Sequence, residues 1–338
     1  MSNIRDVAKL AGVSVATVSR VLNNDQTYKI KDDTRHRVWQ AVAQCNYRLP
    51  GQKQKRPEPT SHPAVSVGCL MCITRDKYQD PYYMSILSGI EQSLDAMGYS
   101  MSFVTTYGEL KDKNTLYELF KAPPKALILM ETLDPDTYSY VRARVPYCVG
   151  IDTHHTDIDN IGYDHFAAAF TATQHLIRKG HQRIGFIGGS GLTTHLKGSR
   201  RYWGYRCAME MEGLPIREEW IRNSRWEELQ CMEQARALME LPEDQRPTAI
   251  FAASDLMAIA TLSVLYSMNI SIPDQIAVMG LSNIEMSRFS SPPLSTLDIP
   301  AVEIGKTAVR VLEQRLKGSN FPPETIYMPA TLLIRDST

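Results

Sequence analysis

The sequence predicts a chain in two parts, a small all-α head and a larger α/β body whose parallel sheets fall into two lobes. Three observations carry this reading. Among 338 residues of zero net charge, the first 57 hold eleven Lys/Arg against four Asp, which leaves the remainder correspondingly acidic. Residues 48–63 contain four prolines and almost nothing apolar, as a linker does. Beyond Ala64, short apolar runs alternate with amphipathic ones, the pattern of parallel α/β sheets. A basic head on an acidic body points to a polyanion bound by the head alone.

In the head, Asn3 is placed to cap a helix over 4–11, with Asp6 three residues on and Val7, Leu10 and Ala11 at helical spacing. Gly12 permits a turn that a β-carbon would resist. Ser14 caps a second helix that turns Val18, Val21 and Leu22 inward and leaves Val15, Ala16, Thr17, Ser19 and Arg20 outside. A third helix is expected over 32–46, with Asp32 and Asp33 at its positive end and Val38, Ala41, Val42 and Cys45 on its inner stripe. Two helices about a glycine turn, closed by a third, make a helix-turn-helix. The small and hydrogen-bonding outer residues of its second helix suit a DNA major groove.

In the body, strands are expected at 65–72, 101–105, 126–130, 147–151, 160–163, 183–188, 248–252, 276–281 and 294–298. Helices are expected at 82–97, 112–121, 136–143, 166–179, 199–212, 228–240, 255–269 and 301–317. So many strands exceed one comfortable sheet, so two lobes are preferred, with a ligand cleft at the carboxyl ends of the strands.

Composition narrows the class. Apolar residues at 43% and charged residues at 22% are ordinary for a globular protein, and no 18-residue apolar run exists to span a membrane. Residues 1–6 carry charge without an apolar core, so export is not expected and a reducing cytoplasm is. The six cysteines are then free thiols. No enzyme site emerges. Cys69 and Cys72 have CxxC spacing, but in a strand they point to opposite faces. Asp152 to Asp159 is the most metal-like run, read more simply as an acidic surface loop. Gly188-Gly-Ser-Gly191 makes neither a nucleophile elbow nor a dinucleotide fingerprint. No metal or cofactor is expected. A sugar-binding transport protein fits the body but not the basic head.

The run from Ile4 to Asn23, IRDVAKLAGVSVATVSRVLN, closely resembles the head of the lactose/galactose repressor family of transcription regulators. So do Asp80-Pro-Tyr-Tyr83, the run His175–Gly188, Arg201-Tyr-Trp-Gly204, Ala253-Ser-Asp255, Pro292–Thr296 and Pro329–Ser337, so the likeness covers essentially the whole chain. Its spacing after Asn23 is most similar to repressors of galactoside operons. The resemblance implies a periplasmic-binding-protein-like core (lobes of about 64–162 with 298–326, and 163–297 with 327–338) behind a head at 1–47 and a linker at 48–63. It implies a cytoplasmic homodimer on a pseudo-palindromic double-stranded operator, released by a sugar effector, galactose or a galactoside. A regulator answering to a phosphorylated sugar or a purine is the alternative.

Carried over by position, the resemblance implies base or phosphate contacts from Ser14, Val15, Ala16, Thr17, Ser19, Arg20 and Asn23, with Lys53, Lys55 and Arg56 on the linker. It implies effector contacts from Tyr82, Asp152, Arg201, Trp226, Ser254, Ser282 and Asn283. The last three stand where relatives usually carry Asn or Asp, so contacts there must differ. Pro50, Gly51 and Pro57 are poor material for the family's hinge helix, which predicts weaker operator bending.

Overall fold

Gly12 sits at φ 64°, in the left-handed region, and turns the chain between α1 (Ile4–Ala11) and α2 (Val15–Leu22). The computed structural model describes residues 4–22, 65–73, 80–110, 113–189 and 195–338, with 30, 31, 34, 35, 37, 38, 41, 77 and 191. Ser14 caps α2, its Oγ accepting from the Thr17 amide at 3.1 Å. Val7, Ala8, Ala11, Val18 and Val21 bury against one another and against Val38 and Ala41. The expectations for Asn3, Asn23, most of the third helix, the linker, Lys53, Lys55 and Arg56 lie outside the described residues. Met1–Pro63 and Ala64–Thr338 form separate compact units.

The larger unit opens with β1 (Ser66–Met71), α3 (Pro81–Met97), β2 (Ser100–Thr106), α4 (Tyr107–Leu110), α5 (Lys113–Leu119), β3 (Ala126–Met130), α6 (Pro135–Arg142), β4 (Tyr147–Ile151) and β5 (Asp159–Tyr163). The chain then crosses to the second lobe. There it forms α7 (His165–Arg178), β6 (Ile184–Gly188), α8 (Arg200–Met211), β7 (Ile221–Asn223), α9 (Glu228–Met239), β8 (Ala249–Ala252), α10 (Asp255–Ser267), β9 (Ala277–Met279) and β10 (Thr296–Asp298). It returns for α11 (Ala301–Leu316) and β11 (Thr325–Met328), and crosses a third time into β12 (Thr331–Leu333). The first sheet runs β11-β5-β4-β3-β1-β2 and the second β7-β6-β8-β9, every ladder parallel. The antiparallel pair β10-β12 lies at the crossing.

Every expected body strand and helix is present within a few residues. Three short strands, β7, β11 and β12, were not expected. All three are three or four residues long and only partly buried or exposed, too short for alternation or an apolar run to single them out.

Period-two alternation places Cys69 in the larger core cluster and Cys72 in the smaller one on the other face. Burial pushes the Cys69 thiol up to about 12 and raises Cys72 as well, which keeps both unreactive. Helices α3 and α11 cross at two glycines, because a β-carbon on Gly89 would strike the Val302 carbonyl and one on Gly305 the Ile86 carbonyl.

Asp255, the first residue of α10, is fully buried and accepts from the Ile284 amide (2.9 Å) and the Thr296 hydroxyl (2.6 Å). Burial raises its carboxyl to about 7 despite those bonds. The folded state thus holds a proton that the unfolded chain releases near pH 4, so stability falls as the pH rises from about 4 to about 7. Asp255→Asn is expected to flatten that part of the stability–pH curve, read by urea melts at pH 5 and pH 8. An unchanged curve would show that the carboxyl is already charged at pH 5.

Candidate functional site: the inter-lobe cleft

The strand ends of the two lobes face each other, and the residues that follow them make the site. Glu131 follows β3 and Asp152 follows β4, each left-handed (φ 66° and 53°) and each donating its amide to the neighbouring strand, at Ile151 and Ile161. Arg225, Trp226, Ser282 and Asn283 on the second lobe also have positive φ. Among the described non-glycine residues the remaining one with positive φ is Asn269, just beyond α10. Strain of this kind collects where function fixes the backbone. A β-carbon on Gly162 would collide with the Asp152 carboxylate, and one on Gly189 with the Trp226 indole, so glycine gives both side chains room.

Asp80 caps α3, accepting from the Tyr82 amide at 3.0 Å, and Pro81 opens that helix, so Tyr82 and Tyr83 stand in its first turn at the cleft. Arg201, in the first turn of α8, donates to the Tyr163 hydroxyl from Nε (3.1 Å) and Nη2 (2.7 Å). Its guanidinium lies 5.4 Å from the Trp226 ring centre. Since Tyr163 ends β5 of the first lobe, this contact ties the lobes together. Lys77, 8% exposed, reaches from the first lobe to 4.6 Å over the same indole and 2.5 Å from Glu131 Oε1. The Tyr83 hydroxyl donates to the same carboxylate oxygen at 2.5 Å. Burial alone would raise the Glu131 carboxyl, but the Lys77 ammonium, with the Tyr83 bond, holds it down at about 2.

Tyr82 donates to Asp152 at 3.3 Å, and His165 Nε2 stands 3.1 Å from the other Asp152 oxygen without hydrogen-bond alignment. Burial lowers the His165 pKa, against the pull of the Asp152 carboxylate. Two buried polar atoms on the second lobe's wall, Trp226 Nε1 and Ser282 Oγ, have no hydrogen-bond partner. Both residues line the void between the lobes, which measures only about 10 Å³.

Of the residues singled out in the sequence, Tyr82, Arg201, Trp226, Ser254 and Ser282 surround this void. Asp152 stands behind it, linked through Tyr82. Ser254 also caps α10 through the Met257 amide. Asn283 does not border the void; its amide donates to Asp298 (2.8 Å) and accepts from Arg335 (2.7 Å). Lys77, Asp80, Tyr83, Glu131, Tyr163 and His165 were missed as site residues. The signal for Glu131 and Tyr163 was their place at strand carboxyl ends, where such sheets bind ligands.

In the head, Val15 (40% exposed) and Ala16 face solvent, with Thr17, Ser19 and Arg20 partly exposed beside them. A helix-turn-helix with an open second helix, joined to a two-lobed clefted body, defines a DNA-binding regulator that answers to a small molecule. Residues 3–49 match the bacterial regulatory proteins of the lacI family, and residues 173–338 match the periplasmic binding protein-like domain. The chain is 34% identical over 347 aligned positions to the HTH-type transcriptional repressor PurR of Actinobacillus pleuropneumoniae, covering all of this chain and 98% of that one. It is 32% identical to the PurR of Pasteurella multocida at the same coverage. Among solved structures, it is similar to a transcriptional regulator CelR–cellobiose complex (TM-score 0.73, 25% identity, all of both chains). It is also similar to a lac repressor dimer bound to operator and the anti-inducer ONPF (TM-score 0.69, 25% identity, 99% and 98% of the chains). The chain belongs to the lacI family of bacterial regulatory proteins. It is a DNA-binding transcriptional repressor and not an enzyme.

Proposed function

We propose that a dimer of this repressor, acting in the cytoplasm, reads a pseudo-palindromic operator through all-helical heads (residues 1–47). In this reading Val15 and Ala16 meet bases. Ser14, Thr17, Ser19, Arg20 and Asn23 meet bases or phosphates, and Lys53, Lys55 and Arg56 of the linker (48–63) add charge. The body (64–338) binds a small effector in the cleft, and effector binding releases the operator. The observation that carries the effector reading is a pair of residues with unpartnered buried atoms, Trp226 (Nε1) and Ser282 (Oγ), lining the same void as Arg201. A donor, a hydroxyl and a charged fork around an aromatic face suit a ring bearing several hydroxyls, a sugar. The cellobiose held by one structural relative supports that class. The narrower galactoside reading draws no support from the PurR relatives.

Calorimetry of the full chain against galactose, lactose, melibiose, cellobiose, glucose, guanine and hypoxanthine tests the ligand class. Heat with a sugar is expected; heat with a purine alone would overturn the sugar and leave the repressor standing. The head has its own test. Arg20→Ala is expected to weaken specific operator binding by about 5- to 150-fold, the worth of one base contact of about 1–3 kcal/mol. A folded Arg20→Ala protein that remains fully specific in gel-shift titrations would remove Arg20 from the reading surface.

A further inference from the structure

The corner of the cleft formed by Glu131, Tyr83 and Trp226 has the composition of an ammonium receptor: one carboxylate and two aromatic rings around a cation. Lys77 Nζ is 2.5 Å from the carboxylate, 4.6 Å from the indole centre and 5.2 Å from the Tyr83 ring. Lysine is almost never buried to this degree unless its charge is paired. Lys77 lines the same void of about 10 Å³ as Trp226 and Ser282, too small for any ligand beyond a single water. A ligand that reaches Trp226 needs more room, and the flexible Lys77 side chain over that indole is a group that can yield it. Its residue also borders an open groove of about 610 Å³ along α9 and α10, which offers the displaced chain a way out.

Moving Lys77 creates an electrostatic problem. Glu131 is a partly buried carboxylate, and Lys77 is the largest of the influences that hold its pKa down, ahead of Tyr83 and Arg201. Stripping one partner from a buried ion pair is strongly unfavourable, because the other charge is left uncompensated. A neutral polyol that expelled Lys77 would bear that penalty, whereas a ligand carrying its own protonated amine would not. We infer that the Glu131–Tyr83–Trp226 corner is a receptor for the protonated amine of the effector, an amino sugar, and that Lys77 occupies it from within the chain until that ligand arrives. The effector class rests on the cleft being the effector site; the ammonium receptor itself does not.

The receptor is tested first without any sugar. In Lys77→Ala, propylammonium is the missing part of the side chain. It should raise the thermal midpoint of the full-length variant saturably, whereas 1-propanol at equal concentration should not. Wild type should be indifferent to both, and the effect should vanish in Lys77→Ala/Glu131→Gln. Equal shifts from amine and alcohol, or an equal response in wild type, would overturn the receptor. The effector class is tested on wild type by calorimetry at pH 6.5 with glucosamine and galactosamine against their neutral parents and N-acetyl forms. The amino sugars should bind at least about tenfold tighter, about 1.4 kcal/mol. Parity with the neutral parents, or heat from none of these sugars, would overturn the amino-sugar assignment even if the propylammonium result stands. Loss of amino-sugar binding in Arg201→Ala would place the event in the cleft, and intact binding there would overturn the cleft reading instead.

Discussion

Arg201→Ala is expected to yield a repressor that holds its operator and no longer responds to its effector. The guanidinium is committed to the Tyr163 hydroxyl by two bonds and lies against Trp226, so its loss removes the charged fork and the tie between lobes together. A hydrogen bond to a charged group contributes about 1.5–3 kcal/mol, so removing the fork should cost effector affinity roughly 100-fold or more. Arg201 lies in the body and not in the head to which operator contacts are assigned, so operator affinity without effector is expected to be unchanged. Gel-shift titrations with and without effector, beside circular dichroism to establish folding, make the measurement. A normal effector response in the variant would take the arginine out of the site.

Asp159→Ala should give the largest loss of stability. The Asp159 carboxylate, 5% exposed, accepts two bonds from Arg315 at 2.7 Å each and a third from the Glu324 amide at 3.0 Å. Arg315 in turn donates to the carbonyls of Ser319, Phe321 and Pro322, so one ion pair fastens β5, α11 and the approach to β11. Breaking a buried pair costs about 3–5 kcal/mol; because Arg315 keeps an edge in solvent, about 3 kcal/mol is expected. Burial would raise the Asp159 carboxyl, but Arg315 and the Glu324 amide hold it below the usual carboxylate range. Its contribution is therefore complete above about pH 4 and fades as the pH falls through the depressed value. Urea melts should show a wide gap between wild type and variant at pH 7 that closes in acid. A gap independent of pH would mean that the cost is one of packing and not of charge.

The parts of this fold that were legible in the sequence are those governed by local physics. Gly12 and Ser14 announced a turn and a cap that the structure shows at φ 64° and 3.1 Å, and the odd spacing of Cys69 and Cys72 placed their thiols on opposite faces. The cleft was legible only where resemblance supplied positions, because its partners are remote along the chain. Lys77 and Glu131 are 54 residues apart, and Arg201 is 38 from Tyr163. No periodicity links such pairs; the topology that brings strand ends together does. Asn283 shows the converse, since Arg335, 52 residues later, engages a side chain that position alone assigned to the effector.

The place of β11 has a consequence for how the chain is made. The edge of β5 is closed by a strand that begins at Thr325, so ribosomes must translate all of the second lobe except β12 and the residues after it before the first lobe's sheet can be completed. Until then the nascent lobe shows an open parallel edge, a template on which neighbouring chains could pair. That edge begins Asp159-Asn160, polar residues that a foreign strand would have to desolvate, and Asp159 finds its counter-charge only in Arg315, shortly before the covering strand. The carboxylate that fastens the finished sheet is thus, before Arg315 is made, the charge that a foreign strand would have to bury. An Asp159 variant should accumulate in inclusion bodies out of proportion to its loss of equilibrium stability, more so than an Arg315 variant of equal stability.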